Sequence, residues 1–233
     1  IQESVNTVAV RVLMDLGERE SFDFLVNKAG MSSLVERQTL SDGTQVSDIG
    51  LASLALGQQN FGVTVRELTA AYSMFVNNGV FSPPRSYIKV TDSAGNLLLA
   101  NDYYNSGVRA ISEETASIMT LMLQNVVSRG TAKAITLDEY VEVAGKTGTA
   151  EKIVDGRSSK TENVSSFVGM FPADKPEIGI IVVLDNPHPL RTGGVTAGPV
   201  FAEIAAPIAR YMDIPSMDAE DWVYYEPTQA EAP

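Results

Sequence analysis

Apolar residues recur at helical spacing near the start of the chain. Ala9, Val12, Leu13 and Leu16 share one face of a helix that Ser4 or Asn6 can cap and Gly17 can stop. A shorter helix follows, with Phe22, Leu25, Val26 and Ala29 inward and Gly30 at its end. Residues 31 to 50 are polar and weakly periodic, which predicts a surface excursion. Thr64 and Glu67 then form a T-x-x-E capping box. Behind it Leu68, Ala71, Tyr72 and Phe75 line a helix that Gly79 ends. After Pro83-Pro84, RSYIKVTDSAGNLLLA reads as two short strands around a Ser-Ala-Gly turn. Ser112 caps another helix, with Glu113 and Glu114 in its first turn, Met119, Met122, Leu123 and Val126 as its buried stripe, and Arg129-Gly130 at its close.

From there the pattern turns strand-like: YVEVAG, SSFVGMF and EIGIIVVLDN. The last carries an apolar run from Ile178 to Leu184 broken only by Gly179, which predicts a strand covered on both faces. A final helix starts near Pro199, with Val200, Ile204, Ile208 and Met212 on one face and a kink at Pro207. Helices first, then three strands and a closing helix, predict a mixed α/β (α+β) domain: an antiparallel sheet with helices on both faces. Residues 1–215 form one domain in this reading, followed by an acidic, proline-ended tail over 216–233 expected to be poorly ordered.

Composition narrows the function classes. Of the 233 residues 44% are hydrophobic and 20% charged, ordinary for a globular domain, and the net charge of −12 argues against nucleic acid or an anionic membrane surface as a partner. No cysteine is present, which excludes disulfides and Cys-ligated metal centres, and the single histidine, His188, excludes sites needing several imidazoles. The apolar runs are too short to span a bilayer, and a start at Ile1 without methionine suggests a processed or excised piece.

The candidate chemistry centres on VEVAGKTGTAEK. The GKT at 145–147 resembles the end of a phosphate-binding loop. That motif requires a glycine where Tyr140 stands and a helix opening at the lysine, so the nucleotide reading is rejected. On a strand, Thr147 and Thr149 point to one face and can hold one anionic ligand together, with Lys146 adding charge. Gly148 between them lets a substrate backbone approach the strand edge. The ordinary alternative is an exposed edge strand with a solvated lysine. Ser4-Val5-Asn6, taken alone, is a helix-capping signal. With K-T-G downstream it matches the second and third of the motifs S-x-x-K, S-x-N and K-T-G of penicillin-recognising serine enzymes.

The stretches ESVNTVAVRVL, ASLALGQQNFGVTVRELTAAYSMFVNNGV, VAGKTGTAEK, SSFVGMFPADKPEIGIIVVLDNP and GGVTAGPVFAEIA occur in order over most of residues 3 to 213. Together they resemble the transpeptidase domain of penicillin-binding proteins, class B in particular, with the fold of the serine β-lactamases. The resemblance implies a peptidoglycan D,D-transpeptidase that cross-links stem peptides through a serine acyl-enzyme, with no metal and no cofactor. It implies that Ser4 relays protons, that Asn6 holds the substrate's peptide carbonyl, and that Lys146 supplies positive potential and a hydrogen bond near Ser4. Thr147 and Thr149 would bind the carboxylate of a D-Ala-D-Ala stem peptide or of a β-lactam, and the Thr149 N–H would form half of an oxyanion hole. The implied location is the extracytoplasmic side of the bacterial cytoplasmic membrane, through an anchor not contained in this chain. The family's S-x-x-K precedes S-x-N, whereas the one S-x-x-K string here, Ser86-Tyr87-Ile88-Lys89, lies in a predicted hairpin. This chain is therefore expected to lack the acylated serine, to be inactive alone, and to need the N-terminal part of its own domain as a partner. A D,D-carboxypeptidase or β-lactamase carries the same motifs, and a non-catalytic β-lactam sensor or cell-wall-binding module is the third possibility.

Overall fold

The computed structural model describes residues 1–101, 107–137, 141–154 and 157–214; the expected tail, residues 216–233, falls outside them. Helices α1 (Asn6–Leu16) and α2 (Glu18–Asn27) meet at Gly17, whose left-handed φ of 100° stops α1 while its N–H donates to the Leu13 carbonyl. A small hairpin, β1 (Gln38–Thr39) with β2 (Gln45–Val46), leads to α3 (Leu51–Leu56) and α4 (Val65–Val76). Strand β3 (Val80–Phe81) pairs with β6 (Val108–Arg109), and between them β4 (Lys89–Thr91) and β5 (Leu97–Ala100) form the expected hairpin. Helix α5 (Glu113–Ser128) precedes the main sheet, an antiparallel meander of β7 (Ala144–Val154), β8 (Arg157–Phe171) and β9 (Ile178–Asp185). Helix α6 (Ala197–Tyr211) closes the described fold. No helix among the described residues is long and apolar enough to cross a membrane.

The two strongest capping signals form as the sequence dictates. Thr64 accepts from the Glu67 N–H while the Glu67 carboxylate accepts from the Thr64 N–H. Ser112 accepts from the Thr115 N–H at the head of α5. Helices cover both faces of the sheet. On one, Phe201 of α6 packs edge-on between Phe167 and Phe171, with ring centroids 4.9 and 6.1 Å away, and Ala205, Ala209 and Val182 complete the cluster. On the other, Met170 and Ala144 meet Leu123 of α5, with Tyr72 and Phe75 of α4 packed alongside.

Several expected burials do not form. In α1 only Leu13 is buried. Val12 and Leu16 join Val5 and Val8 in an apolar stripe 49–59% exposed, because among the described residues the main packing partners of α1, α3 and α2, lie along its other side. Strand β9 is the outer strand of the sheet. Val182 is buried under α6 and α4 lies against the opposite face, so helices flank both faces of β9 as predicted, although Gly179 and Val183 stay exposed at the rim. The stripe expected for α6 is also displaced. The helix buries Ala197, Gly198, Phe201, Ala205 and Ala209, leaving Ile204 and Met212 exposed, since small residues let it approach the sheet closely around one aromatic anchor. The strand read from YVEVAG begins only at Ala144. Residues 31–50 run over the surface but are tethered: fully buried Asp48 accepts from the Val35 and Asn60 N–H groups, each at 2.8 Å.

Candidate active site

Lys146, Thr147, Gly148 and Thr149 sit within β7, opposite Val168, Phe167, Ser166 and Ser165 of β8. The lysine is thus in a strand and opens no helix, in accord with rejection of the phosphate loop. Since β7 is an outer strand, one of its edges is unpaired in the sheet. Alternation sets Thr147 and Thr149 on one face and Lys146 on the other. The lysine side chain bends back so that Nζ donates to the Thr147 carbonyl and to Ser4 Oγ, both at 2.8 Å. Residues two apart on a strand point their N–H groups in the same sense. The Thr149 N–H therefore lies on the side of β7 where the lysine meets the Thr147 carbonyl.

Ser4 reaches this point because of its backbone. Its N–H donates to the Ile1 carbonyl at 3.1 Å, closing a turn that holds Ser4 in the left-handed region with φ of 52°. This costs a non-glycine residue of order 1 kcal/mol and is a strain met at functional sites. The N-cap of α1 is Val5, in extended conformation and with no side-chain cap. The expectation that Ser4 or Asn6 caps α1 is therefore wrong. The turn aims the Ser4 hydroxyl across at β7 instead of back over the helix, and Asn6 is already the first helical residue, its side chain exposed on the opening turn. The string Ser86–Lys89 lies on the exposed approach to β4, with Lys89 paired to Ala100 and no helix start nearby.

Two loops back the threonine face. Gly193, in the turn before α6, donates its N–H to Thr149 Oγ1 at 3.2 Å. A Cβ at Gly193 would lie 2.2 Å from the Ser166 carbonyl oxygen and 2.6 Å from that of Gly148, so only glycine lets this turn lie against the sheet. Thr131, just beyond α5, shares a 2.8 Å hydrogen bond between its hydroxyl and that of Thr147. Its N–H donates to the Gln2 carbonyl at 3.3 Å. Neither residue is singled out by a sequence motif; the Gly-Gly doublet at 193–194 is the nearest to a signal. Burial lowers the pKa of Lys146, as removal from water disfavours the ammonium. The arrangement offers a half-buried lysine bonded to a serine hydroxyl, beside two threonine hydroxyls that can donate to an anion.

Comparison with known proteins agrees with this geometry. Residues 1–206 match the family of the penicillin binding protein transpeptidase domain. Stage V sporulation protein D of Bacillus subtilis is 29% identical over 211 residues, 88% of this chain and 32% of its own length. A probable peptidoglycan D,D-transpeptidase of Pseudomonas aeruginosa, PbpC, is 33% identical over 180 residues, 75% of this chain and 29% of its own length. Penicillin binding protein 3 of Mycobacterium tuberculosis, solved in complex with ampicillin, superposes with a TM-score of 0.75 at 26% identity, covering 97% of this chain and 53% of that one. The chain spans about a third of the length of the curated relatives it matches. Fold, motif order and these relatives agree: the chain belongs to the penicillin binding protein transpeptidase domain family.

Proposed function

We propose that residues 1–233 form the S-x-N and K-T-G walls of a peptidoglycan D,D-transpeptidase site of the class B kind, acting on the extracytoplasmic side of the bacterial membrane. The observation that carries this is the bond from Lys146 Nζ to Ser4 Oγ, which joins the two motifs across the fold. Because the lysine donates to Ser4, the serine's own proton stays available to a leaving amine, and its lone pairs can take a proton back. Asn6 holds the donor's peptide carbonyl. Thr147 and Thr149 donate their hydroxyl protons to the terminal carboxylate of a D-Ala-D-Ala stem peptide or of a β-lactam. The Thr149 N–H stabilises the tetrahedral oxyanion. The relatives named as D,D-transpeptidases favour an amine acceptor over water.

The acylated serine and its lysine base, in this reading, come from a part of the protein outside residues 1–233. Two open surfaces support it. The apolar stripe Val5, Val8, Val12 and Leu16 runs from beside Ser4 along α1, and β9 keeps an outer edge in the sheet with Val183 40% exposed. Exposed apolar area of this kind marks a docking surface. The test is to treat the full-length protein with a penicillin, digest it and map the adduct. One acylated serine outside residues 1–233 is expected. An adduct on a serine within them overturns the missing-nucleophile claim, and no adduct at all points to a non-catalytic binding module.

A further inference from the structure

Thr131 joins three parts of the site that lie far apart in sequence. Its N–H donates to the carbonyl of Gln2, two residues before Ser4. Its hydroxyl meets that of Thr147 at 2.8 Å. Its carbonyl oxygen would lie 2.5 Å from a Cβ at Gly194, so the turn before α6 rests on it as well. The preceding residue fits only as glycine here, since a Cβ at Gly130 would lie 2.4 Å from the Gln2 carbonyl oxygen.

Resting on the transpeptidase reading above, we infer that Thr131 is a positioning residue: its hydroxyl donates to Thr147 and thereby turns the Thr147 proton toward the substrate carboxylate. A carboxylate only accepts hydrogen bonds, so each clamp hydroxyl must donate to it and take its own second bond as an acceptor. Thr149 already has that second bond, from the Gly193 N–H. Thr131 supplies the equivalent donor for Thr147. With a carboxylate bound, the Thr131–Thr147 pair has one consistent sense, Thr131 donating and Thr147 accepting. Both clamp hydroxyls are then oriented from behind, one by a backbone amide and one by a side chain. The same residue, through Gln2, sets the spacing between this clamp and Ser4.

The experiment compares Thr131→Val with Thr131→Ser in the full-length protein. Acylation is measured with a penicillin carrying its free carboxylate and with the methyl ester of the same penicillin. Thr131→Val is expected to lower the second-order acylation rate for the free acid up to about tenfold, the scale of one lost hydrogen bond between neutral groups. The rate for the ester and the unfolding temperature should stay at the wild-type values, and Thr131→Ser should restore the free-acid rate. An equal loss for acid and ester, no loss for either, or a serine variant as poor as the valine one each overturns the inference. If the wild-type protein takes up no penicillin at all, the transpeptidase reading itself fails and this inference with it. That outcome is distinct from an active wild type with an indifferent Thr131.

Discussion

Replacing Glu67 by glutamine keeps the shape of the side chain and removes its charge, at a place where the fold gathers neutral donors around a carboxylate. Glu67 is 8% exposed. Its Oε1 accepts from Ser32 Oγ at 2.7 Å and the Ser33 N–H at 3.0 Å. Its Oε2 accepts from the Thr64 N–H, from Thr64 Oγ1 and from Ser33 Oγ. Burial alone would raise the pKa, but the bonds from Ser33, Ser32 and Thr64 outweigh it and hold the group at about 2, against an ordinary 4.5. A depressed carboxylate pKa stabilises the fold above the unfolded value and loses that contribution as pH falls toward the folded one. The difference amounts to roughly 3 kcal/mol at neutral pH, falling to roughly 2 kcal/mol near pH 3.5.

Glutamine stands in for the protonated acid and, whichever oxygen its NH2 replaces, turns it toward a backbone N–H, of Ser33 or of Thr64, that can only donate. Glu67→Gln should therefore cost about 3 kcal/mol at pH 7, or about 6–12 °C in Tm for a domain of this size. Urea denaturation of wild type and variant across pH 7 to 3.5 measures the gap. It should narrow as the pH falls toward the folded pKa. A gap that stays constant with pH would mean that packing or the misplaced amide, and not charge, sets the loss. A gap below about 1 kcal/mol at pH 7 would remove the carboxylate as an organising centre altogether.

Three further substitutions each remove one contact of the fold. Ser4→Gly removes the hydroxyl bonded to Lys146 and relieves the left-handed strain at φ of 52°; penicillin acylation of the full-length protein should fall ~10²–10⁴-fold while stability holds or rises by up to about 1 kcal/mol. Gly193→Ala forces its turn away from the Ser166 and Gly148 carbonyls and breaks the bond to Thr149 Oγ1; apparent penicillin affinity should weaken about tenfold, read by competition with a fluorescent penicillin. Phe201→Ala empties a fully buried site between Phe167 and Phe171 and should cost about 3–5 kcal/mol in urea denaturation.

The sequence by itself determined what is settled within one helical turn or one strand. The Thr64–Glu67 box and the Ser112 cap form because their partners stand three residues away, and a hydrogen bond that local does not depend on the rest of the fold. Placement of Lys146, Thr147 and Thr149 on a strand follows from alternation in the same way, and the ordered motifs carried the family. Burial was legible only where a neighbour was certain. The periodicity of α1 and α6 is helical, but which stripe is covered depends on what packs there: among the described residues α1 meets chiefly α3 and α2, and α6 approaches the sheet through Ala205, Ala209 and Phe201. Strand β9 reads as doubly covered and meets α6 on one side and α4 on the other, yet as the outer strand it leaves Val183 40% exposed. Only the tertiary structure decided the site's wiring. It took Ser4 off capping duty through a left-handed turn and joined it to Lys146, 142 residues away. It also set Thr131 and Gly193 behind the two threonines. Such contacts follow from chain topology, and a hydroxyl or a glycine in a loop carries no local sign of the partner the fold will bring to it.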